Sequence, residues 1–95
     1  MVEKIKPIRF DWNEHNKLKN WKKHKVNFQE CEQIFLNEPI MFFPDPKHSE
    51  EEKRLVAYGM TNKRRKLTVV FTIRNKKIRV ISARSMSRKE RRIYG

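Results

Sequence analysis

The 95-residue sequence has one cysteine, two glycines and four prolines, and each shortage excludes something. Cys31 alone cannot close an internal disulfide, so a cross-linked secreted framework is ruled out and a reduced, cytoplasmic protein is expected. So few glycines and prolines leave little room for a flexible linker or a low-complexity tract. Long hydrophobic runs are missing too. None approaches the roughly 18 residues of a membrane span, and no charged-then-apolar-then-small signal segment opens the chain. Acid is scarce in one half only: from Leu55 onward, Glu90 is the single acidic residue against thirteen Lys and Arg.

That imbalance accounts for nearly all of the net charge of +13. A field of this size favours a polyanion through counterion release and electrostatic steering. A merely well-solvated surface is the plain alternative, but solubility alone rarely leaves 41 residues with a single acid. An anionic membrane surface fits less well, because the basic residues fall on expected strands and not along an amphipathic helix. The apolar residues, 37% of the chain with ten aromatics among them, come in periodic runs, which argues for one packed domain over residues 1–95.

Periodicity places the elements. Ile8 to Trp12 alternates weakly, as a short edge strand would. Glu14 to His24 reads as a polar helix, with Leu18 and Trp21 three apart on one stripe. Asn27 is a good N-cap, and Glu30 three residues on completes a capping box for a second helix with Phe28, Cys31, Ile34 and Phe35 inward; Pro39 ends it. Ile40 to Phe43 is a short strand stopped by Pro44 and Pro46, and Asp45 to Glu52 reads as a polar loop. Arg54–Met60, Leu67–Arg74 and Lys77–Arg84 are strands. Asn75-Lys76 between the last two has the length of a hairpin turn, with Asn suited to positive φ. The implied register pairs Ile73 with Ile78, Phe71 with Val80, Val69 with Ser82 and Leu67 with Arg84 on the core face. The other face carries Thr72 against Arg79, Arg74 against Lys77, Val70 against Ile81 and Thr68 against Ala83, and is expected to stay open at its Arg79 end. Ser87 and Glu90 make a further capping box for a short last helix through Tyr94. The class is α+β: two N-terminal helices on a twisted antiparallel sheet, with a short C-terminal helix.

Several groups of residues then carry a resemblance. They include Phe10-Asp11-Trp12, Asn20, Lys23-His24, Val26-Asn27-Phe28, Glu52-Lys53-Arg54, Gly59, the run Val69 to Arg74, the run Arg79 to Arg84, and Glu90-Arg91-Arg92-Ile93-Tyr94. The spacing Trp12, Asn20, His24, Phe28 and the Ile-Ser-Ala-Arg run followed by Glu-Arg-x-x-Tyr are its specific parts. Together these resemble the BrnT family over residues 10 to 94. The resemblance implies a RelE-like fold and a toxin of a type II toxin–antitoxin pair, an endoribonuclease that cleaves RNA and inhibits translation. It also implies a cognate antitoxin, typically with a ribbon-helix-helix DNA-binding domain, through which the complex would bind operator DNA. The chain departs from the family where Asn13 replaces an acid, where Asn16 replaces a lysine that would touch phosphate, and where Lys25 replaces a glycine and must take the left-handed conformation at some strain.

The chemistry of such a nuclease requires phosphate charge to be neutralised, a 2′-hydroxyl deprotonated and a 5′-oxygen protonated. Metal catalysis would want clustered carboxylates, and the densest run, Glu50 to Glu52, lies in the expected loop. Metal-independent transesterification with no cofactor is therefore the expectation, leaving a 2′,3′-cyclic phosphate. Arg79 and Arg84 are the expected phosphate ligands, since an arginine fork suits phosphate. For Arg84, on the core-facing register, the alternative is a salt bridge to Glu90. Arg54, Arg74, Lys77 and Arg91 are candidates to extend the RNA track. For proton transfer the candidates are His24, Glu90 and Tyr94, with Arg91 as a possible acid surrogate. Each has a structural alternative: a helix C-terminal cap for His24, the Ser87 capping box for Glu90, helix packing for Tyr94. His15 and His48 sit on a helix surface and in the loop. Trp12, Trp21 and Cys31 read as core. A non-catalytic nucleic-acid-binding or regulatory protein on the same fold, a degenerate toxin, is the competing function; an acid-binding interaction domain is a third.

Overall fold

Three asparagine and serine caps set the helices in the computed structural model, which describes residues 8–45 and 52–95. The side chains of Asn13, Asn27 and Ser87 each accept a hydrogen bond from the backbone three residues on, at Asn16, Glu30 and Glu90, whose side chains take part in the reciprocal bond. In each reciprocal bond the cap's own N–H is the donor and the side chain three residues on the acceptor, so the boxes satisfy orphan N–H groups at the starts of α1 (Glu14–His24), α2 (Phe28–Leu36) and α3 (Arg88–Tyr94). Between the second and third helices, β1 (Met41–Pro44), β2 (Leu55–Met60), β3 (Lys66–Arg74) and β4 (Lys77–Ser85) form one antiparallel sheet in sequence order. The α+β architecture expected from the sequence is the one observed, and it is compatible with a RelE-like arrangement. Of the expected polar loop, residues 46–51 lie outside the described residues, as do His48, Glu50 and Glu51.

The core sits between α2 and the inner sheet face. Cys31, Ile34, Ala57, Leu67, Val69 and Ala83 are fully buried, and the rings of Phe35 and Phe71 meet edge to face at 5.2 Å. Cys31 is core filler, as expected; burial pushes its thiol up to about 12. β2 approaches α2 so closely at Gly59 that a methyl there would stand 2.8 Å from Ile34 Cβ.

Four sequence expectations need correction. Ile8–Trp12 is not a strand but a single parallel bridge, Phe10 to Ile78. The first strand runs one residue later than expected and includes Pro44, tolerable because β1 is an edge. The β3–β4 register holds from the Asn75-Lys76 turn, where both residues have positive φ, through Phe71↔Val80, and then slips at a bulge. Beyond it Val69 pairs with Ala83, Thr68 with Arg84 and Leu67 with Ser85. The extra residue in β4 moves Arg84 from the expected core face to the outer one.

The fourth correction concerns α1. Its expected apolar stripe is largely exposed, Leu18 at 48% and Trp21 at 45%, while Asn16 and Asn20 are buried. The reason is what α1 covers, namely the free edge of β4. Asn16 Nδ2 donates to Val80 O (3.3 Å), Lys19 Nζ to Ile81 O (3.2 Å), and Ala83 N donates to Asn20 Oδ1 (3.0 Å). Further back, Asp11 N donates to Ile78 O and Ile78 N to Arg9 O, at 2.8 and 2.9 Å. An edge strand presents polar backbone, so the helix that covers it needs amides rather than leucines. Trp12 does lie against the core, and its Nε1 donates to Glu32.

α1 closes on Lys25 with φ 54° and ψ 42°, the left-handed cap that the missing glycine foretold. Arg65 braces this corner by donating to His24 O and Lys25 O, pairing with Glu30 and reaching Ser85 Oγ.

Candidate active site

The outer sheet face carries the chemistry. Alternation along β3 and the observed register place Thr68, Val70, Thr72 and Arg74 on it, with Arg84, Ser82, Arg79 and Lys77 opposite on β4 and Tyr58 and Val56 on β2. It is not open throughout. Glu90 of α3 lies over the Thr68 end, and at the other end Thr72 is buried with its hydroxyl donating to Lys53 O at 2.7 Å. The Arg79 end, expected to be bare, therefore has residues 52–54 beside it.

Two charged clusters result. At the hairpin end, Arg74 forks onto Glu52 with Nε–Oε2 and Nη2–Oε1 both 2.9 Å. Arg79 Nη1 stands 3.5 Å from Asp11 Oδ2, each side chain partly buried. The Arg74 contact holds the Glu52 carboxyl below its usual range, and the positive charges of Arg54 and Arg79 add to the effect. Asp11 in turn helps raise Arg74, behind the larger contribution from Glu52. Three arginines, 54, 74 and 79, thus share one electrostatic neighbourhood with two carboxylates, and Lys77 lies directly across the hairpin from Arg74.

At the other end, roughly 14 Å along β3 from the Arg79 pairing position at about 3.4 Å per residue, Arg84 forks onto Glu90 at 2.7 and 2.8 Å. Glu90 also accepts from Thr68 Oγ1 (2.8 Å) and Ser87 N (2.9 Å). The Arg84 bond first, then those from Ser87 and Thr68, hold this carboxyl down to about 2. So stable a carboxylate is a weak base. Tyr58 joins the group: its hydroxyl is raised mainly by burial and then by the Glu90 charge.

The sequence-derived residues therefore do not form one site. Arg54, Arg74, Arg79 and Lys77 come together; Arg84 and Glu90 form a separate pair, the salt bridge that was the alternative for Arg84. His24 is exposed at the end of α1, joined through Arg65 to Ser85 at the far end of β4 from Arg79. Tyr94 donates its hydroxyl to Pro39 O at 2.6 Å, fastening α3, and Arg91 is exposed. Position 16, expected to face phosphate, is buried: Asn16 donates to Asp11 O (3.2 Å) and Val80 O. Asp11, Glu52, Thr68 and Tyr58 were given no role by the sequence. Asp11 stood within a motif, but only the bridge to Ile78 reveals that it faces Arg79. Among the described residues, no three His, Cys, Asp or Glu side chains gather as ligands for a metal, and no helix is long and apolar enough to cross a membrane.

Comparison with known proteins follows the same line. A family model described as "Ribonuclease toxin, BrnT, of type II toxin-antitoxin system" matches residues 12–90. Among solved structures, the Brucella abortus ribonuclease toxin BrnT superposes with a TM-score of 0.65 at 26% identity, covering 86% of this chain and 100% of that one. No curated protein matches.

Proposed function

The chain belongs to the BrnT family of ribonuclease toxins of type II toxin–antitoxin systems, and from that premise we propose that it cleaves RNA by metal-independent transesterification at the hairpin end of the outer sheet face. The family makes it a ribonuclease with an RNA substrate and an antitoxin partner. The observation that carries the assignment of the site is the gathering of Arg54, Arg74 and Arg79 around Asp11 and Glu52. Guanidinium groups fixed by carboxylates on a rigid sheet are preorganised to receive a phosphate and the charge that builds on it in a pentavalent intermediate.

In this reading Arg79 binds the scissile phosphate, and Arg74, Arg54 and Lys77 carry the flanking backbone. Arg84 and Arg91 extend the track toward α3. Glu90 acts on Arg84 instead of serving as a base, Tyr94 positions α3, and His24 contacts RNA outside the reacting centre. Residues 1–95 work as one domain in the cytoplasm. The antitoxin carries a ribbon-helix-helix domain, and the pair reads operator DNA through it.

Induced expression of the chain alone, beside Arg79→Ala and a co-expressed antitoxin, tests the site. The wild type should arrest growth with loss of intact RNA on a gel. Arg79→Ala should lower the cleavage rate by about 10²–10³, the usual cost of losing one transition-state donor, and the antitoxin should relieve arrest. Arrest by Arg79→Ala at the wild-type rate and level would refute the assignment.

A further inference from the structure

The proposed site supplies phosphate ligands but leaves open what takes the proton from the attacking 2′-hydroxyl. Among the described residues, His24, Glu90, Glu52 and Asp11 are candidates, and geometry separates them. His24 ends α1 and is tied through Arg65 to Ser85, at the opposite end of β4 from Arg79. Both oxygens of Glu90 are taken by the Arg84 fork, with Thr68 and Ser87 added. Both oxygens of Glu52 are taken by the Arg74 fork. Asp11 differs. Its closest approach to Arg79 is 3.5 Å, at Oδ2, and among the described residues no hydrogen bond ties up its carboxylate.

The backbone of Asp11 is fixed on both sides. Its N–H donates to Ile78 O at 2.8 Å, its carbonyl accepts from the buried Asn16 at 3.2 Å, and the next residue, Trp12, is anchored to Glu32. A base held by its backbone beside the phosphate ligand needs little rearrangement to act.

We propose that Asp11 is the general base of this ribonuclease, with Asn16 as the residue that positions it. The proposal rests on the assignment of the site to the Arg79 cluster. Asp11 takes the 2′-hydroxyl proton as the 2′-oxygen attacks phosphorus and the new O–P bond forms. The P–O5′ bond breaks, and its electron pair leaves with the 5′-oxygen, which takes a proton from water. The hydroxide so formed removes the proton from Asp11, so the carboxylate is regenerated and no water is consumed.

The test uses the full chain in a cell-free translation extract, which offers both free and ribosome-bound message, and follows cleavage of a labelled messenger RNA. Asp11→Asn is expected to lower kcat by about 10²–10³, within the range for losing a general base, with KM within about threefold. Formate should partly restore Asp11→Ala, which a merely structural role would not allow. Asp11→Glu keeps the charge and the Arg79 pair, so it decides the matter even if the neutral variants do not fold: its displaced carboxylate should lower kcat about tenfold at unchanged KM, and a wild-type kcat overturns the base. If Asp11→Asn cleaves at the wild-type rate while Arg79→Ala is inactive, the base is overturned and the site stands. If both cleave normally, the site itself falls. A loss confined to KM in Asp11→Asn would make the residue only a brace for Arg79.

Discussion

Replacing Glu90 by Gln would remove the charge at the centre of the Arg84 cluster while keeping the side chain's size. The folded protein holds this carboxyl at about 2, down from 4.5, a fall of about 2.5 pH units. At about 1.4 kcal/mol per unit this is an upper bound of about 3.4 kcal/mol. Arg84, however, is 41% exposed against 16% for Glu90, so water screens the main partner and about 1–2 kcal/mol is the expected contribution. The sign follows from the direction. With the folded value below the unfolded one, the unfolded chain binds the extra proton as pH falls. The contribution is therefore complete above about pH 5 and disappears as pH drops toward about 2. Urea unfolding of wild type and Glu90→Gln at a series of pH values between 7 and 3 reads this directly. The gap between them should be about 1–2 kcal/mol at pH 7 and should close steadily below pH 5. A gap that does not change with pH would mean that the loss comes from packing or capping alone, and the electrostatic reasoning would be wrong.

Two further outcomes concern the fold. Gly59→Ala forces a methyl to within 2.8 Å of Ile34 Cβ and 3.2 Å of Ile34 O, atoms that cannot swing aside, and should destabilise by about 2 kcal/mol. That is a fall of about 10 °C in Tm for a domain of this size; Ile34→Val, which leaves Cβ in place, should not rescue it, and a full rescue would show that the clash lies elsewhere. Lys25→Gly relieves a left-handed residue at φ 54° but loses the contact of Lys25 Nζ with the Trp21 ring at 5.2 Å, for a net gain of about 0.5–1 kcal/mol. Thermal melts should show a rise of a few degrees, and a fall would refute the assignment of strain.

The sequence disclosed the elements well because their signals are local. Asn27 with Glu30 and Ser87 with Glu90 state their helix starts outright, and Asn75-Lys76 states its turn. Arg79 was assignable to the outer face because it lies three pairs from that turn, before register error can accumulate. Arg84 was not. The bulge falls where Val69, Val70 and Phe71 are apolar on both faces, so the alternation that fixes register elsewhere carries no information there. Leu18 and Trp21 misled for a related reason: a hydrophobic count shows what a helix could bury but not that its target is a strand edge wanting amides. Asp11 had no signal beyond its motif, because its place beside Arg79 depends on a bridge between segments far apart in the chain.

The asparagines that join α1 to β4 have a consequence for the order in which the molecule is made. Asn16 meets Val80 and Asn20 meets Ala83 across 64 and 63 residues, whereas the β3–β4 hairpin closes through a two-residue turn. Closing the long loop first is entropically expensive for two amide contacts, while the hairpin nucleates cheaply. α1 can coil early from its own capping box, yet it stays water-bound until β4 has paired with β3 and offers a finished edge. Asp11 and Arg79 sit on opposite sides of that last docking step, so they come face to face only when it is complete.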